Sequence, residues 1–229
     1  MSPYLLFFIV VTSGITWTGG EALKAADECS LAYGLLDIKP VEQEEDIWCW
    51  VASTTEMLNR LGVPQQVGHP PYPPYRQCVL FNIVKNPVGI DCCTVTHPTG
   101  VEECKKTGWP DDVFDKLGVP YTPGGALPWN WVKGQICPQK IHPGVYSPGE
   151  PFIFVAWPDG GINHTYVVKG FNENGPNGQQ VLYVDSHRKL GETPVGPSMV
   201  DYSCDYLGMC ANTIYHHTGD YYNIRRPAP

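Results

Sequence analysis

The stretch QEEDIWCW puts Gln43 six residues before Cys49, and sets Cys49 between two tryptophans at the mouth of a helical pattern. A thiol at a helix N-terminus feels the positive end of the helix dipole, which favours thiolate, the nucleophilic form. Glu44, Glu45 and Asp46 act the other way, so strong activation needs a cationic partner, and an imidazolium is the usual one. His164, in INHTYVVKGF, opens a strand-like run, and Asp185, in QVLYVDS, follows another. A carboxylate that holds the proton of one ring nitrogen leaves the other nitrogen free to exchange a proton with a thiol. Gln43 can turn an amide N–H toward an oxyanion forming beside the sulfur, with the Cys49 backbone N–H as the second donor. These are the parts for nucleophilic attack on a carbonyl and a covalent acyl intermediate.

Each part also has a plainer role. A cysteine at a helix start in an exported chain is more often bridged than free. His164 alone reads as a strand-edge residue, Asp185 before Ser186 can begin a turn, and Gln43 can be a surface amide. Trp48 and Trp50 are core packing in either case, and His216 and His217 join no recognisable constellation. Cysteine parity favours the chemical reading: nine cysteines cannot all pair within one monomer, and a leftover one is either intermolecular or a free reactive thiol. Zinc fits poorly, because no C-x-x-C occurs and no Cys/His cluster has structural zinc spacing. Only Cys204 with Cys210 is close enough in sequence to suggest a pairing.

The elements that must bring these residues together are legible in outline. Ile47, Val51, Leu58 and Leu61, with Ala52 and Met57 beside them, trace one face of a helix over 47–61, with Gly62 and Pro64 as stops. WPDDVFDKLGVP predicts a short helix opened by Pro110 and Asp111 and closed by Gly118. HPPYPPY (69–75) favours extended or polyproline backbone. PFIFVAW, HTYVVKGF and QVLYVDS, dense in Val, Ile, Phe and Tyr, predict strands, the last two forming an antiparallel hairpin across NENGPNGQ. A turn centred on Asn174 and Gly175 puts His164 directly opposite Asp185, with Cβ atoms roughly 4.5–5.5 Å apart on one face. A helical front and a sheet at the back make an α+β chain.

Composition bounds the rest. The chain has 229 residues and a formal charge of -8, with 42% hydrophobic and 12% aromatic residues. It is long enough for one well-cored domain, and its charge excludes a phosphate-backbone partner, so no nucleic acid is expected. The apolar run from Tyr4 to Val11, followed by small residues, predicts a secretory signal over residues 1–22, with cleavage near Ala22 or Ala26. Residues 23–229 then form a single domain, secreted to an extracellular or periplasmic space, with disulfides and no membrane attachment in the mature form.

At this point the motifs resemble a known family. Glutamine, five residues, then Cys-Trp at a helix start is similar to the papain-like cysteine proteases, and INHTYVVKGF resembles their histidine strand. The nearest likeness is to the compact branch that includes plant-pathogen effector proteases and bacteriocin-leader peptidases, where a strand like GEPFIFVAW, the histidine strand and a strand ending in Asp follow in order. The resemblance runs from about Gln43 to Asp185. The larger enzymes of the family carry Asn followed by Ser-Trp where this chain has Asp185, and the compact relatives are not generally rich in disulfides. The resemblance implies a helical half, carrying the nucleophile helix, packed against an antiparallel sheet half. It also implies Cys49 as nucleophile, His164 as base and acid, Asp185 as the orienting residue and Gln43 in the oxyanion hole.

The expectation is therefore a secreted thiol peptidase, monomeric, acting on protein or peptide substrates without metal or cofactor. Two other readings stay open: a related Cys-His-Asp acyltransferase or amidase of the transglutaminase kind, and a non-catalytic binding or toxin-like module with Cys49 bridged or unreactive. Asn163-His164-Thr165 is also an N-glycosylation sequon, and a glycan beside His164 would obstruct the cleft, so Asn163 is expected to be unmodified.

Overall fold

A computed structural model describes residues 29–63, 76–85, 89–94, 101–142, 145–158, 163–186, 197–209 and 215–227. The expected signal segment, the 69–75 run, Pro64 and any Cys204–Cys210 bridge lie outside the described residues, since neither the side chain of Cys204 nor Cys210 is among them.

The helix of the opening motif, α1, runs Cys49–Leu61 and buries Val51, Ala52, Met57 and Leu58 as its spacing requires. It begins two residues later than expected, because the chain first makes a turn in which the Trp48 N–H donates to the Glu45 carbonyl at 2.9 Å. Cys49 is thereby the first helical residue. At the other end Gly62 takes a left-handed conformation (φ 61°), and its N–H and that of Val63 return to the carbonyls of Asn59 and Leu58. That geometry is the usual reason for a glycine at this position. Helix α2 (Gln77–Lys85) follows, then α3 (Pro110–Leu117), which starts on Pro110 and ends at left-handed Gly118 as the sequence predicts. The Asp112 carboxylate accepts the Trp109 N–H at 3.0 Å, satisfying an amide that the helix leaves over. Helix α4 (Trp129–Ile136) completes the set.

The strands are β1 (Tyr33–Leu35), β2 (Thr122–Gly124), β3 (Gln139–His142), β4 (Val145–Ser147), β5 (Phe152–Pro158), β6 (His164–Gly175), β7 (Gly178–Val184), β8 (Pro197–Asp201) and β9 (Tyr215–Tyr222). The main sheet is antiparallel with the order β2-β9-β5-β6-β7-β8, and β1 also pairs with β6; β3 and β4 pair apart. Helices and an antiparallel sheet in separate runs make the α+β class. The tail after Ser186, which carried no legible motif, supplies β8 and β9 to this sheet.

The hairpin register departs from expectation. The turn sits at Pro176-Asn177, with Gly175 opposite Gly178, and irregularities shift the pairing until Val167 lies opposite Val184. Continued outward, that register sets His164 diagonal to Asp185, two residues away from direct opposition. An offset of two keeps both side chains on one face, where an offset of one would have put them on opposite faces.

Helix α1 lies across β6 and packs against α2 and α3. Trp48 and Trp50 are buried, Trp48 stacking on Phe81 of α2 with ring centroids 4.7 Å apart. Disulfides Cys78–Cys93 and Cys92–Cys104 secure the chain after α2, and Cys29–Cys137 ties the N-terminal segment to the end of α4. Among the described cysteines, Cys49 alone is unbridged.

Candidate active site

Cys49 stands at the N-terminus of α1 and is buried. Its Sγ lies 3.8 Å from the Asn163 carbonyl oxygen, at the entrance to β6. The groups that favour the charged sulfur are the His164 ring and Thr165, the latter through both its backbone and its hydroxyl. The other side of the imidazole is held by Asp185, with Nε2 to Oδ1 at 2.7 Å. With Nε2 engaged by the carboxylate, Nδ1 is the nitrogen that serves the sulfur. The Cys49 thiol thus meets an imidazole and a carboxylate that lie more than a hundred positions later in the chain.

The electrostatics follow from the neighbours. Burial disfavours a Cys49 thiolate, but the hydrogen bond and charge of His164, with the Thr165 donors, outweigh it and bring the thiol below its ordinary value. Burial likewise disfavours an imidazolium, yet the Asp185 hydrogen bond and then the Cys49 sulfur raise His164 to about 9. Both shifts favour a thiolate–imidazolium pair at neutral pH. Asp185 stays 35% exposed, His164 only 13%, so solvent still reaches the carboxylate while the ring is enclosed.

Gln43 lies in the segment that leads into α1. It is buried, and its Nε2 donates to the Glu45 carbonyl, the same oxygen that receives the Trp48 N–H. The amide is therefore built into the turn that launches α1, and it retains a second N–H. Its Oε1 has no hydrogen-bond partner among the described residues. Gln77 on α2 fixes the segment from either side, accepting the Glu44 N–H at 3.0 Å and donating to the Glu42 carbonyl at 2.6 Å. The structure brings Cys49, His164 and Asp185 together and bonds Gln43 to the turn from which Cys49 emerges.

Several partners were missed from sequence. Thr165 contacts the sulfur, and Ser53, one helical turn beyond Cys49, donates to the Thr165 hydroxyl (2.9 Å) and carbonyl (3.1 Å). Glu56 and Ser186, both buried, meet at 3.0 Å behind Asp185. The available signal was the polar run Ser53-Thr54-Thr55-Glu56 inside a helix that buries all four. His217, which had no constellation in the sequence, sits beside buried Asp220 (3.2 Å) and packs against Tyr206 and Phe154. Asn163 turns its backbone toward Cys49 and buries its side-chain oxygen, so the sequon adjoins the sulfur. No cluster of His, Cys, Asp or Glu suited to a metal occurs among the described residues, and no helix among them is long and apolar enough to cross a membrane.

Compared with models of known protein families and with curated proteins, the chain matches none of them.

Proposed function

We propose that this chain is a secreted cysteine peptidase of papain-like architecture. The observation that carries the reading is the contact line Cys49–His164–Asp185, with Cys49 the unbridged cysteine among six bridged ones. The Cys49 thiolate adds to the peptide carbonyl, and the resulting oxyanion takes hydrogen bonds from the Cys49 backbone N–H and the spare N–H of Gln43. As the first residue of α1, Cys49 has an N–H without an intrahelical partner. The His164 imidazolium gives its Nδ1 proton to the leaving amine as the C–N bond breaks. Neutral His164 then takes a proton from water, whose oxygen attacks the thioester, and the carboxylic acid product leaves with the thiolate restored. Asp185 keeps the ring in the tautomer and orientation that both proton transfers need. The disulfides support an oxidising compartment, hence export.

The test is to alkylate the unreduced, purified protein near neutral pH and map the label by mass spectrometry. Labelling confined to Cys49, with Cys49→Ala folded but losing at least about 1,000-fold in peptide hydrolysis, supports the reading. Label on other cysteines with Cys49 unreactive, or undiminished hydrolysis by Cys49→Ala, defeats it.

A further inference from the structure

Glu56 follows Cys49 by seven residues, two turns along the same face of α1, and is 1% exposed. Its Oε1 accepts the Val41 N–H at 2.8 Å and the Ser186 hydroxyl at 3.0 Å. Val41 lies two residues before Gln43, and Ser186 directly follows Asp185. The Gln43 N–H in turn donates to the Ser186 carbonyl at 2.9 Å. One carboxyl oxygen on the Cys49 helix therefore gathers the segment that carries Gln43 and the segment that carries Asp185, and those two segments are also bonded to each other.

The remaining oxygen, Oε2, is sealed from solvent and has no partner among the described residues. Both donors converge on Oε1, which suits a carbonyl oxygen, and an ionised Oε2 buried here without a donor would be costlier than a protonated one. Burial raises Glu56 to about 8, against the Val41 and Ser186 donors; Asp185 adds to the rise and Lys169 opposes it. The charged groups that face it are Asp185 beyond β7, Lys169 from β6, and Asp37, Lys39 and Arg60, which with Glu56 itself line a cleft of about 570 Å³ on this side of α1. A carboxylate at this place would set a second negative charge beside Asp185, which is exposed enough to swing toward solvent and release the His164 Nε2.

We propose that Glu56 is a positioning residue that holds the Gln43 and Asp185 segments against the Cys49 helix, and that it does so as the neutral acid. This rests on the peptidase reading of the site, and nothing in it requires Glu56 to touch substrate. Glutamine reproduces the neutral acid in shape, in carbonyl acceptor and in charge; alanine reproduces none of these.

The experiment compares wild type, E56Q and E56A as the full chain with disulfides intact, following Cys49 alkylation by iodoacetamide and peptide hydrolysis from about pH 6 to about pH 10. E56A should lose about 100-fold in kcat with a smaller change in KM, the scale of a misplaced catalytic group. E56Q should recover to within about threefold of wild type at neutral pH. It should also move the high-pH loss upward, from a limb near 8 toward one near 9 set by His164. Should E56A not fold, the E56Q pH profile alone decides. E56A behaving like wild type, E56Q as impaired as E56A, or an unmoved high-pH limb in E56Q would overturn the proposal. Those outcomes, seen with wild-type Cys49 labelling normally, leave the peptidase reading standing; a wild-type Cys49 that takes no label overturns both.

Discussion

His164 is under opposing pressures, and the balance between them sets the working pH range of the site. Enclosure in the fold disfavours its charge, while the Asp185 bond and the sulfur hold it protonated to about 9. His164 thus sets the outer alkaline limit of the thiolate–imidazolium pair, which ionisation of Glu56 brings forward in the wild type. Asp185→Asn takes away the charge that supports the ring, so His164 falls back and the thiol rises, narrowing the window from both sides. The expected outcome is an acid limb of Cys49 alkylation shifted upward and an alkaline limb of hydrolysis at least about one pH unit lower than in wild type, with hydrolysis reduced at all pH values. An unchanged limb would mean that the 2.7 Å contact does not govern the ring. Residue types and order made Cys49, His164 and Asp185 readable. Gln43 was readable only as a candidate, because its amide direction depends on the Glu45 carbonyl in the turn that follows it.

At the scale of elements, the site depends on how α1 meets the start of β6. Ser53 makes this join, one turn below Cys49, by donating to both oxygens of Thr165, the residue that also contacts the sulfur. Ser53→Ala leaves buried acceptors on Thr165 without that donor and should cost about 1–2 kcal/mol in denaturant unfolding. It should also slow Cys49 alkylation, because the Thr165 hydroxyl is released to turn. A stability loss with unaltered alkylation would show the join to be purely structural. This is also where sequence reasoning ran short. Helical spacing places Val51, Met57 and Leu58 inward, but it has no way to tell that Ser53 and Glu56 are buried too, since their partners come from β6 and from Ser186, far along the chain. The hairpin shows the same limit: density in Val, Phe and Tyr identified both strands, whereas the register was set by bulges that the turn residues do not announce. His164 and Asp185 meet because the shift was an even number of residues.

For the molecule as a whole, one buried acid makes stability depend on pH. Glu56 is raised from its ordinary 4.5 to about 8, so between those values the unfolded chain gives up a proton that the folded chain keeps. Folding stability then falls as pH rises from about 4.5, and levels off above about 8, a change on the order of 5 kcal/mol. His164, raised from 6.5 to about 9, pushes in the same direction, while Cys49, held below its ordinary value, pushes in the opposite one, so the pair offsets part of its own effect. Urea unfolding at pH 5 and pH 8 should show wild type losing stability across that interval and E56Q losing much less. An equal loss in both would place the proton elsewhere.

The bridges have a topological consequence. Adjacent Cys92 and Cys93 are committed in opposite directions, one forward to Cys104 and the other back to Cys78, while Cys29 reaches to Cys137 across all of them. Viewed as a network of covalent links, the stretch from residue 29 to residue 137 contains no single backbone bond whose scission separates the chain into two molecules. On the peptidase reading proposed above, each copy of the chain is also a candidate substrate for the others. Nicked once anywhere in that span, the chain remains a single covalent body, with α1 and its thiol still fastened to what surrounds them.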